Sequence, residues 1–210
     1  MHPSVLYRKL FSLYKAQGWW PVKSECKGRG YHPNEFGIPK TKKGKFEVCM
    51  GAILTQNTSW LQVEKALSNL FAAKINTAEK ILGTDSQTIA NLIAPAGYRN
   101  QKTIYLKNIA EWFVKNHSIK PMPPISELRE SILQVKGVGR ETADSILLYA
   151  FHLPTFVIDT YTKRALASLN LFDEKTSYEI LRSWFMDALP PSVELFQEYH
   201  ALFVEHGKRS

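Results

Sequence analysis

Two glycines separate two helical patterns within the stretch 131–164, and this arrangement constrains the fold more than any other feature. The pattern before the glycines has apolar residues at helical spacing, with Ser126 as its predicted N-cap. The segment 136–139, KGVG, cannot continue that helix, because two glycines two positions apart favour a hairpin with positive φ. A second helix is predicted from about Arg140. Its first turn then offers backbone N–H groups to an anion such as phosphate.

An aspartate follows the second helix at a fixed distance. Asp159 lies eighteen residues after Glu141, within the tetrapeptide VIDT. Taken alone it would be an ordinary helix N-cap, and the hairpin alone could be a turn capped by glycines. Together, GVGRETA and VIDT resemble the helix-hairpin-helix DNA glycosylases of the endonuclease III superfamily. The resemblance extends from roughly Phe46 to Val204.

Composition sets the broad class. The chain has 210 residues, 44% of them hydrophobic, which excludes wholesale disorder. Its net charge of +8 favours a polyanionic partner. The N-terminus has the pattern of an amphipathic helix rather than a signal peptide, and no apolar run approaches the roughly 20 residues that span a bilayer. We therefore expect a cytoplasmic protein that binds no membrane.

The predicted fold class is all-α, because the sequence contains no convincing strand and no repeat of solenoid period. Besides the two helices of the hairpin, helices are predicted over about 3–17, 46–54, 60–73, 77–82, 86–93, 98–116, 160–169 and 174–188, and from 192 onward. The resemblance implies two helical lobes. One is residues 46–152 with the helix-hairpin-helix, and the other is 1–45 plus 153–210. It also implies an active-site cleft between them, with Asp159 at its mouth.

The resemblance implies base excision, and Asp159 is the candidate catalytic residue. The N-glycosidic bond breaks through an oxocarbenium-like transition state, so a carboxylate near the sugar can stabilise the cation or activate water. The base must first be flipped out of the duplex. Gln56, in ILTQNT, and Tyr98, in AGYRNQK, match the family's positions that fill the resulting gap. A plain polar turn at Gln56 is the alternative.

The hairpin is the predicted site of phosphate binding, through Gly137, Val138, Gly139 and Arg140. By resemblance, the backbone carbonyls of Leu133, Val135 and Val138 hold a monovalent cation in the DNA complex. The irregular segment 22–45 is rich in lysine, glycine and proline. It is either a flap that contacts phosphates or a solvated loop without a role.

Glu141 departs from the pattern of the bifunctional relatives. They carry lysine here, in GVGRKTA, and its amine forms a Schiff base with the sugar before strand cleavage. Glutamate cannot form this bond, so the sequence predicts a monofunctional hydrolase that leaves an abasic site. Two alternatives stay open: a glycosylase and lyase acting on other damaged bases with another amine, and a DNA-binding protein without catalysis.

Two adjacent tryptophans suggest the substrate. Together with Glu141, the segment Trp19-Trp20-Pro21 resembles the clusterless 3-methyladenine DNA glycosylase III branch. An N-alkylated purine is cationic and stacks well on indole rings. The same resemblance adds Phe46 and Lys208 to the predicted base pocket. The alternatives are a hydrophobic plug for the tryptophans and core packing for Phe46.

No cofactor is expected. In most endonuclease III relatives a segment like HALFVEHGKRS leads directly into cysteines that hold an iron–sulfur cluster. This chain stops at Ser210 and has only Cys26 and Cys49, so we expect no cluster unless a C-terminal segment was removed. The predicted partner is double-stranded DNA with a damaged base, most readily 3-methyladenine or another alkylated purine. A monomer is expected.

Overall fold

A computed structural model describes residues 1–209, and its secondary structure is entirely helical. Within this range there are eleven α-helices, one short 3₁₀ turn at Ala94–Ala96 and no strand, which confirms the all-α class. The helices are α1 Pro3–Tyr14, α2 Lys42–Leu54, α3 Trp60–Ala72, α4 Ala78–Gly83, α5 Ser86–Leu92, α6 Arg99–Asn116, α7 Ile125–Leu133, α8 Arg140–Tyr149, α9 Thr160–Ser168, α10 Tyr178–Ala188 and α11 Val193–Arg209.

Four predicted helix ends were wrong. Helix α2 begins at Lys42 instead of Phe46, capped by the Thr41 side chain, so the last four residues of the segment 22–45 are helical. The N-cap of α7 is Pro124, with φ −51° and ψ 146°, so Ser126 lies inside the first turn instead of capping it. Helix α1 ends at Tyr14 because Lys15 adopts a positive φ of 61°. Helix α10 begins only at Tyr178, where the Ser177 side chain caps the Ile180 amide.

Contacts divide the chain into two compact units. The first unit is Met1–Ile38 together with the chain from Leu147 onward, and the second is Pro39–Ile146. The two predicted lobes are also formed by the middle of the chain and by its two ends, but the predicted middle lobe runs from 46 to 152. The division into functional lobes stays a prediction.

Aromatic rings form the core of the first unit, where α11 packs against α1 and α9. Phe156 and Phe185 stack with their centroids 3.9 Å apart and their planes 8° apart, and Tyr199 meets both rings edge-on. All three side chains are fully buried. Burial of large rings at this density stabilises the unit and fixes the orientation of α11.

Helix α6 organises the second unit, because it packs against α2, α4 and α5. In the hairpin of this unit, Arg129 of α7 and Asp144 of α8 form a bidentate ion pair, with donor–acceptor distances of 2.8 and 3.0 Å. The Asp144 carboxylate is completely buried. This pair therefore fixes the angle between the two helices of the hairpin.

No helix among the described residues is long and apolar enough to cross a membrane.

Candidate active site

Asp159 is the N-cap of α9 and is almost completely buried. Its Oδ1 accepts hydrogen bonds from the backbone N–H and from Oγ1 of Thr162, both at 2.7 Å. Its side chain is 9% exposed. The N-terminal end of a helix favours a negative charge, so the local structure both orients and stabilises the carboxylate.

The second oxygen of Asp159 faces a histidine. His200 Nε2, on α11, lies 3.6 Å from Asp159 Oδ2, and the histidine side chain is 5% exposed. The other ring nitrogen, Nδ1, is 2.8 Å from the hydroxyl of Tyr149, which donates in turn to the Gln197 carbonyl at 3.0 Å. Three elements thus meet at Asp159: the end of α8, the cap of α9 and the middle of α11.

These contacts set the charge of the Asp159 carboxyl. Burial raises its pKa, but the nearby charge of His200 and the two hydrogen bonds from Thr162 outweigh burial, so the pKa lies below its ordinary value. Tyr149 behaves oppositely. Burial, with the nearby charges of Glu198 and Asp159, raises its pKa well above normal, and it stays a neutral hydroxyl. Asp159 is therefore a buried anion at neutral pH.

Of the predicted pocket residues, Trp19 and Lys208 come together. Lys208 Nζ lies over the Trp19 ring, 5.7 Å from its centroid, and Trp19 is half-buried. Trp20 is only 4% exposed, and its ring packs against Tyr149 with centroids 5.4 Å apart. The two tryptophans differ accordingly: the ring of Trp20 lies in the core, whereas Trp19 is the more accessible.

Buried polar contacts hold the tryptophan segment in place. The Glu198 carboxylate accepts from the backbone N–H of Gln17 at 2.7 Å. The ring nitrogens of His32 lie 3.0 Å from the Trp20 and Glu35 carbonyls. Gly18 has a φ of +66°, and an added Cβ there would collide with the backbone of His32. This close approach requires glycine immediately before the tryptophans.

Phe46 belongs to the second unit. Its side chain is 1% exposed and packs against Phe113 of α6, with ring centroids 5.1 Å apart. This is the packing of a core residue in α2. Its predicted role in the base pocket stays a prediction.

Of the two hairpin glycines, Gly137 has the positive φ that the pattern predicted, and Gly139 does not. Gly137 has φ +98°, and a Cβ there would overlap the ring of Tyr105. Gly139 has no positive φ, and a Cβ there would meet nothing within 4 Å. Gly137 is needed for the backbone and for packing, whereas Gly139 leaves an open surface beside α8.

The rest of the hairpin continues into α8 as predicted. The Val138 N–H donates to the Val135 carbonyl at 2.9 Å, and the Ala143 N–H donates to Gly139 at 2.8 Å. Arg140 and Glu141 are both exposed in the first turn of α8. An acidic side chain in this position complements the helix dipole.

The two predicted wedge residues differ in their surroundings. The Gln56 amide donates to the Gly137 carbonyl at 2.9 Å and to Thr142 Oγ1 at 3.1 Å, so it lies against the hairpin. Tyr98 is 66% exposed and adopts a left-handed conformation, φ 47°, immediately before α6. Tyr98 is therefore presented to solvent, and Gln56 is held by the protein.

A buried lysine connects these two loops. Lys102 Nζ donates to the Leu54 carbonyl and to the Ala96 carbonyl, both at 2.8 Å. Leu54 ends the helix before Gln56, and Ala96 precedes Tyr98. Burial lowers the pKa of Lys102 to about 8, so its ammonium group stays largely charged at neutral pH.

Comparison with known proteins identifies the family. The profile described as HhH-GPD superfamily base excision DNA repair protein matches residues 50–191. The chain belongs to this superfamily. HhH-GPD proteins of this kind are base excision DNA glycosylases, and a Methanocaldococcus jannaschii protein named as a DNA repair glycosylase is 39% identical over 97% of this chain and 86% of its own length.

Further proteins resemble this chain in sequence or in fold. Endonuclease III of Sulfolobus acidocaldarius is 29% identical over 79% of this chain and 73% of its own length. The crystal structure of H. pylori 3-methyladenine DNA glycosylase, bound to 1,N6-ethenoadenine, has a TM-score of 0.78 and 26% identity, covering 100% of this chain and 98% of that one. A non-covalent endonuclease III–DNA complex shares the fold, with a TM-score of 0.71 and 16% identity over 96% of this chain and 82% of that one.

No group of three or more His, Cys, Asp or Glu side chains within residues 1–209 is arranged to hold a metal ion. In the HhH-GPD hairpin, the carbonyls of Leu133, Val135 and Val138 stay the predicted cation ligands, and the Val135 carbonyl already accepts one hydrogen bond. Ser210, on which the prediction about the cluster depended, lies outside the described residues.

Three residues with evident structural roles were not found by sequence reasoning. His200 was placed only on the inner face of the last helix, and Tyr149 and Lys102 had no predicted role. A polar residue at an apolar helical position was the available indication for His200 and Lys102. Their partners are distant in the sequence: Asp159 lies 41 residues before His200, and Leu54 lies 48 residues before Lys102.

Proposed function

We propose that this HhH-GPD protein is a monofunctional glycosylase that hydrolyses the N-glycosidic bond of a flipped alkylated purine in DNA, with 3-methyladenine as the preferred base. The observation that carries the proposal is the combination of a fixed, ionised Asp159 with a glutamate at position 141. The carboxylate supplies charge stabilisation for a sugar cation. Glu141 has no amine with which to form a Schiff base.

The chemistry follows from the charge of the substrate. Alkylation at N3 places a positive charge on the purine, and cleavage of the C1′–N9 bond returns the electron pair to the base, which leaves neutral. The sugar becomes an oxocarbenium-like cation that Asp159 stabilises. Water then adds to C1′, and its proton passes to the Asp159 carboxylate. Such a leaving group needs little protonation by the protein.

Stacking would supply the selectivity. The half-buried Trp19 ring is proposed to stack on the flipped base, with Trp20 buried in support. Lys208 lies over the Trp19 ring, and Phe46 is proposed as a further pocket residue. The similarity to a 3-methyladenine DNA glycosylase with bound 1,N6-ethenoadenine supports this choice of substrate.

DNA contacts are proposed at the hairpin and the two loops of the second unit. Gly137, Val138, Gly139 and Arg140 would contact a phosphate, and a monovalent cation would bind the Leu133, Val135 and Val138 carbonyls. Tyr98 and Gln56 would fill the gap left by the flipped base. Gln56 would have to release its two hydrogen bonds to do so.

A panel of damaged duplexes tests the substrate and the reaction class together. Duplexes with 3-methyladenine, uracil, an oxidised pyrimidine or 8-oxoguanine are incubated with the enzyme and analysed with and without alkali. We expect release of 3-methyladenine, and strand cleavage only after alkali. Strand cleavage without alkali, or trapping by borohydride as strong as that of an endonuclease III control, would establish a lyase instead. Tight binding without any base release would establish a DNA-binding protein.

Substitution of Asp159 and Glu141 separates their roles. Asp159→Asn should lower the single-turnover rate of base release at least about 100-fold, because the charge opposite the sugar cation is lost. It should keep its affinity for a duplex with an abasic-site analogue. Glu141→Gln, which removes the negative charge and keeps the size of the side chain, should release the base at close to the wild-type rate, because the proposed reaction does not use Glu141. Loss of activity in Glu141→Gln would show that Glu141 takes part in the chemistry.

A further inference from the structure

A series of polar contacts connects Asp159 to the backbone of α11. Tyr149 donates its hydroxyl hydrogen to the Gln197 carbonyl at 3.0 Å, and its oxygen lies 2.8 Å from His200 Nδ1. On the other side of the ring, His200 Nε2 lies 3.6 Å from Asp159 Oδ2. Tyr149 is 1% and His200 4% exposed. Water therefore has little access to these groups.

The direction of the hydrogen bonds fixes the tautomer of the histidine. A carbonyl oxygen can only accept, so the single hydroxyl hydrogen of Tyr149 goes to Gln197. The Tyr149 oxygen must then accept from His200, which places a hydrogen on Nδ1. Nε2 consequently carries either a lone pair, in a neutral ring, or a second hydrogen, in an imidazolium. Nothing else in the described chain hydrogen-bonds to Nε2.

The two oxygens of Asp159 have different surroundings. Oδ1 accepts two hydrogen bonds from Thr162, whereas Oδ2 faces only His200 Nε2 among the contacts described. A neutral ring would direct a lone pair at the anion, and an imidazolium would direct an N–H at it. At 3.6 Å the contact is longer than a hydrogen bond, so Oδ2 keeps acceptor capacity for water or substrate.

We infer that His200, oriented by Tyr149, is a positioning residue that holds Oδ2 of the Asp159 carboxylate in place for base excision. The inference rests on the proposed function and deepens it, because it assigns the second oxygen of the catalytic carboxylate. The titratable and charged groups around the ring are Asp159 at the cap of α9, Tyr149 at the end of α8, and Glu198, whose charge reaches Tyr149.

The chemical consequence concerns the group that the ring presents to Oδ2. As an imidazolium, His200 directs an N–H at Oδ2 and orients the carboxylate, whereas a neutral ring with its hydrogen on Nδ1 directs a lone pair at it. A side chain that presents an N–H in this position should therefore sustain base release, and one that presents none should lower its rate.

Three variants test the role through single-turnover base release from a 3-methyladenine duplex. His200→Phe should lower the rate on the order of 100-fold, because no N–H then faces Oδ2. His200→Gln places an amide N–H near the position of Nε2 and should keep most of the rate. Tyr149→Phe, which removes the hydroxyl that orders Nδ1, should give an intermediate rate.

A matched control lies on the same helix. His206 Nδ1 is 2.8 Å from the Tyr14 hydroxyl, so this histidine also pairs with a tyrosine, six residues further along α11. His206→Gln should leave the rate as in the wild type. A wild-type rate in His200→Phe would overturn the inference. So would a rate in His200→Gln as low as that in His200→Phe.

A stability measurement tests the pair without relying on activity. The free energy of unfolding is measured for the wild type, His200→Phe, Asp159→Asn and the double variant at neutral pH. We expect the effects of the two substitutions to be non-additive, because the two side chains face each other. Additive effects would refute the inference. If the wild type instead releases no base from any duplex while the coupling is present, only the proposed function fails.

Discussion

At the scale of single residues, the most informative side chain is a buried carboxylate that remains charged. Burial by itself favours the protonated form of Asp159, and the contacts from Thr162 and His200 reverse that preference. A carboxylate held in this way is ready to face a developing cation without reorganisation. Two hydrogen bonds at the N-terminus of α9 and the nearby His200 ring of α11 offset the cost of burying the charge.

The lowered pKa of Asp159 predicts how acid affects stability. Its pKa is lower in the folded chain than in the unfolded chain, where the pKa of aspartate is about 3.9. The stabilisation is therefore present above that value and is lost as the pH falls through the folded-state pKa. The difference in unfolding free energy between the wild type and Asp159→Asn should shrink as the pH is lowered from about 5 to about 2. Urea unfolding across this range measures it, and a difference that grows towards low pH would contradict the assignment.

The sequence identified Asp159 but not the residues that control it. An aspartate at the start of a helix, at a fixed distance from a glycine hairpin, is visible in one dimension. The contact of His200 with Asp159 depends on how α11 packs over the cap of α9. Helical spacing could place His200 only on an inward face, because periodicity gives the face and not the partner.

At the scale of elements, the hairpin is stabilised from two directions. Arg129 and Asp144 join its helices on the buried side, and Tyr105 of α6 lies beneath Gly137. The helices themselves were predictable, and α8 begins at Arg140 as the glycine pattern indicated. The start of α7 and the end of α1 were predicted wrongly, because they depend on the backbone angles of Pro124 and Lys15, which side-chain patterns do not determine.

The two hairpin glycines offer a paired test. Gly137→Ala should destabilise the protein by about 1–3 kcal/mol, because the residue has a positive φ and its Cβ would overlap the Tyr105 ring. Gly139→Ala meets nothing in the protein and should leave stability unchanged. It should still weaken duplex binding if a phosphate approaches there, as proposed. Thermal unfolding and a binding titration distinguish the two, and equal destabilisation by both variants would contradict the structure.

At the scale of the whole molecule, the net charge of +8 should affect the affinity for DNA more than the rate of base release. The logarithm of the association constant for duplex DNA should fall linearly with the logarithm of salt concentration, by about 0.9 per phosphate contact. Arg140→Ala should reduce this slope by about one contact. The single-turnover rate at saturating enzyme should change little with salt. A salt-independent affinity would exclude phosphate binding as the main contribution.

Lys102 has a consequence for motion. Its ammonium group joins the carbonyl at the end of α2 to the carbonyl before Gly97, so the loops that carry Gln56 and Tyr98 share one anchor. Neither loop can open without breaking its charged hydrogen bond to Lys102 of α6. Their backbone amides should therefore exchange with deuterium as one cooperative group rather than as two independent loops.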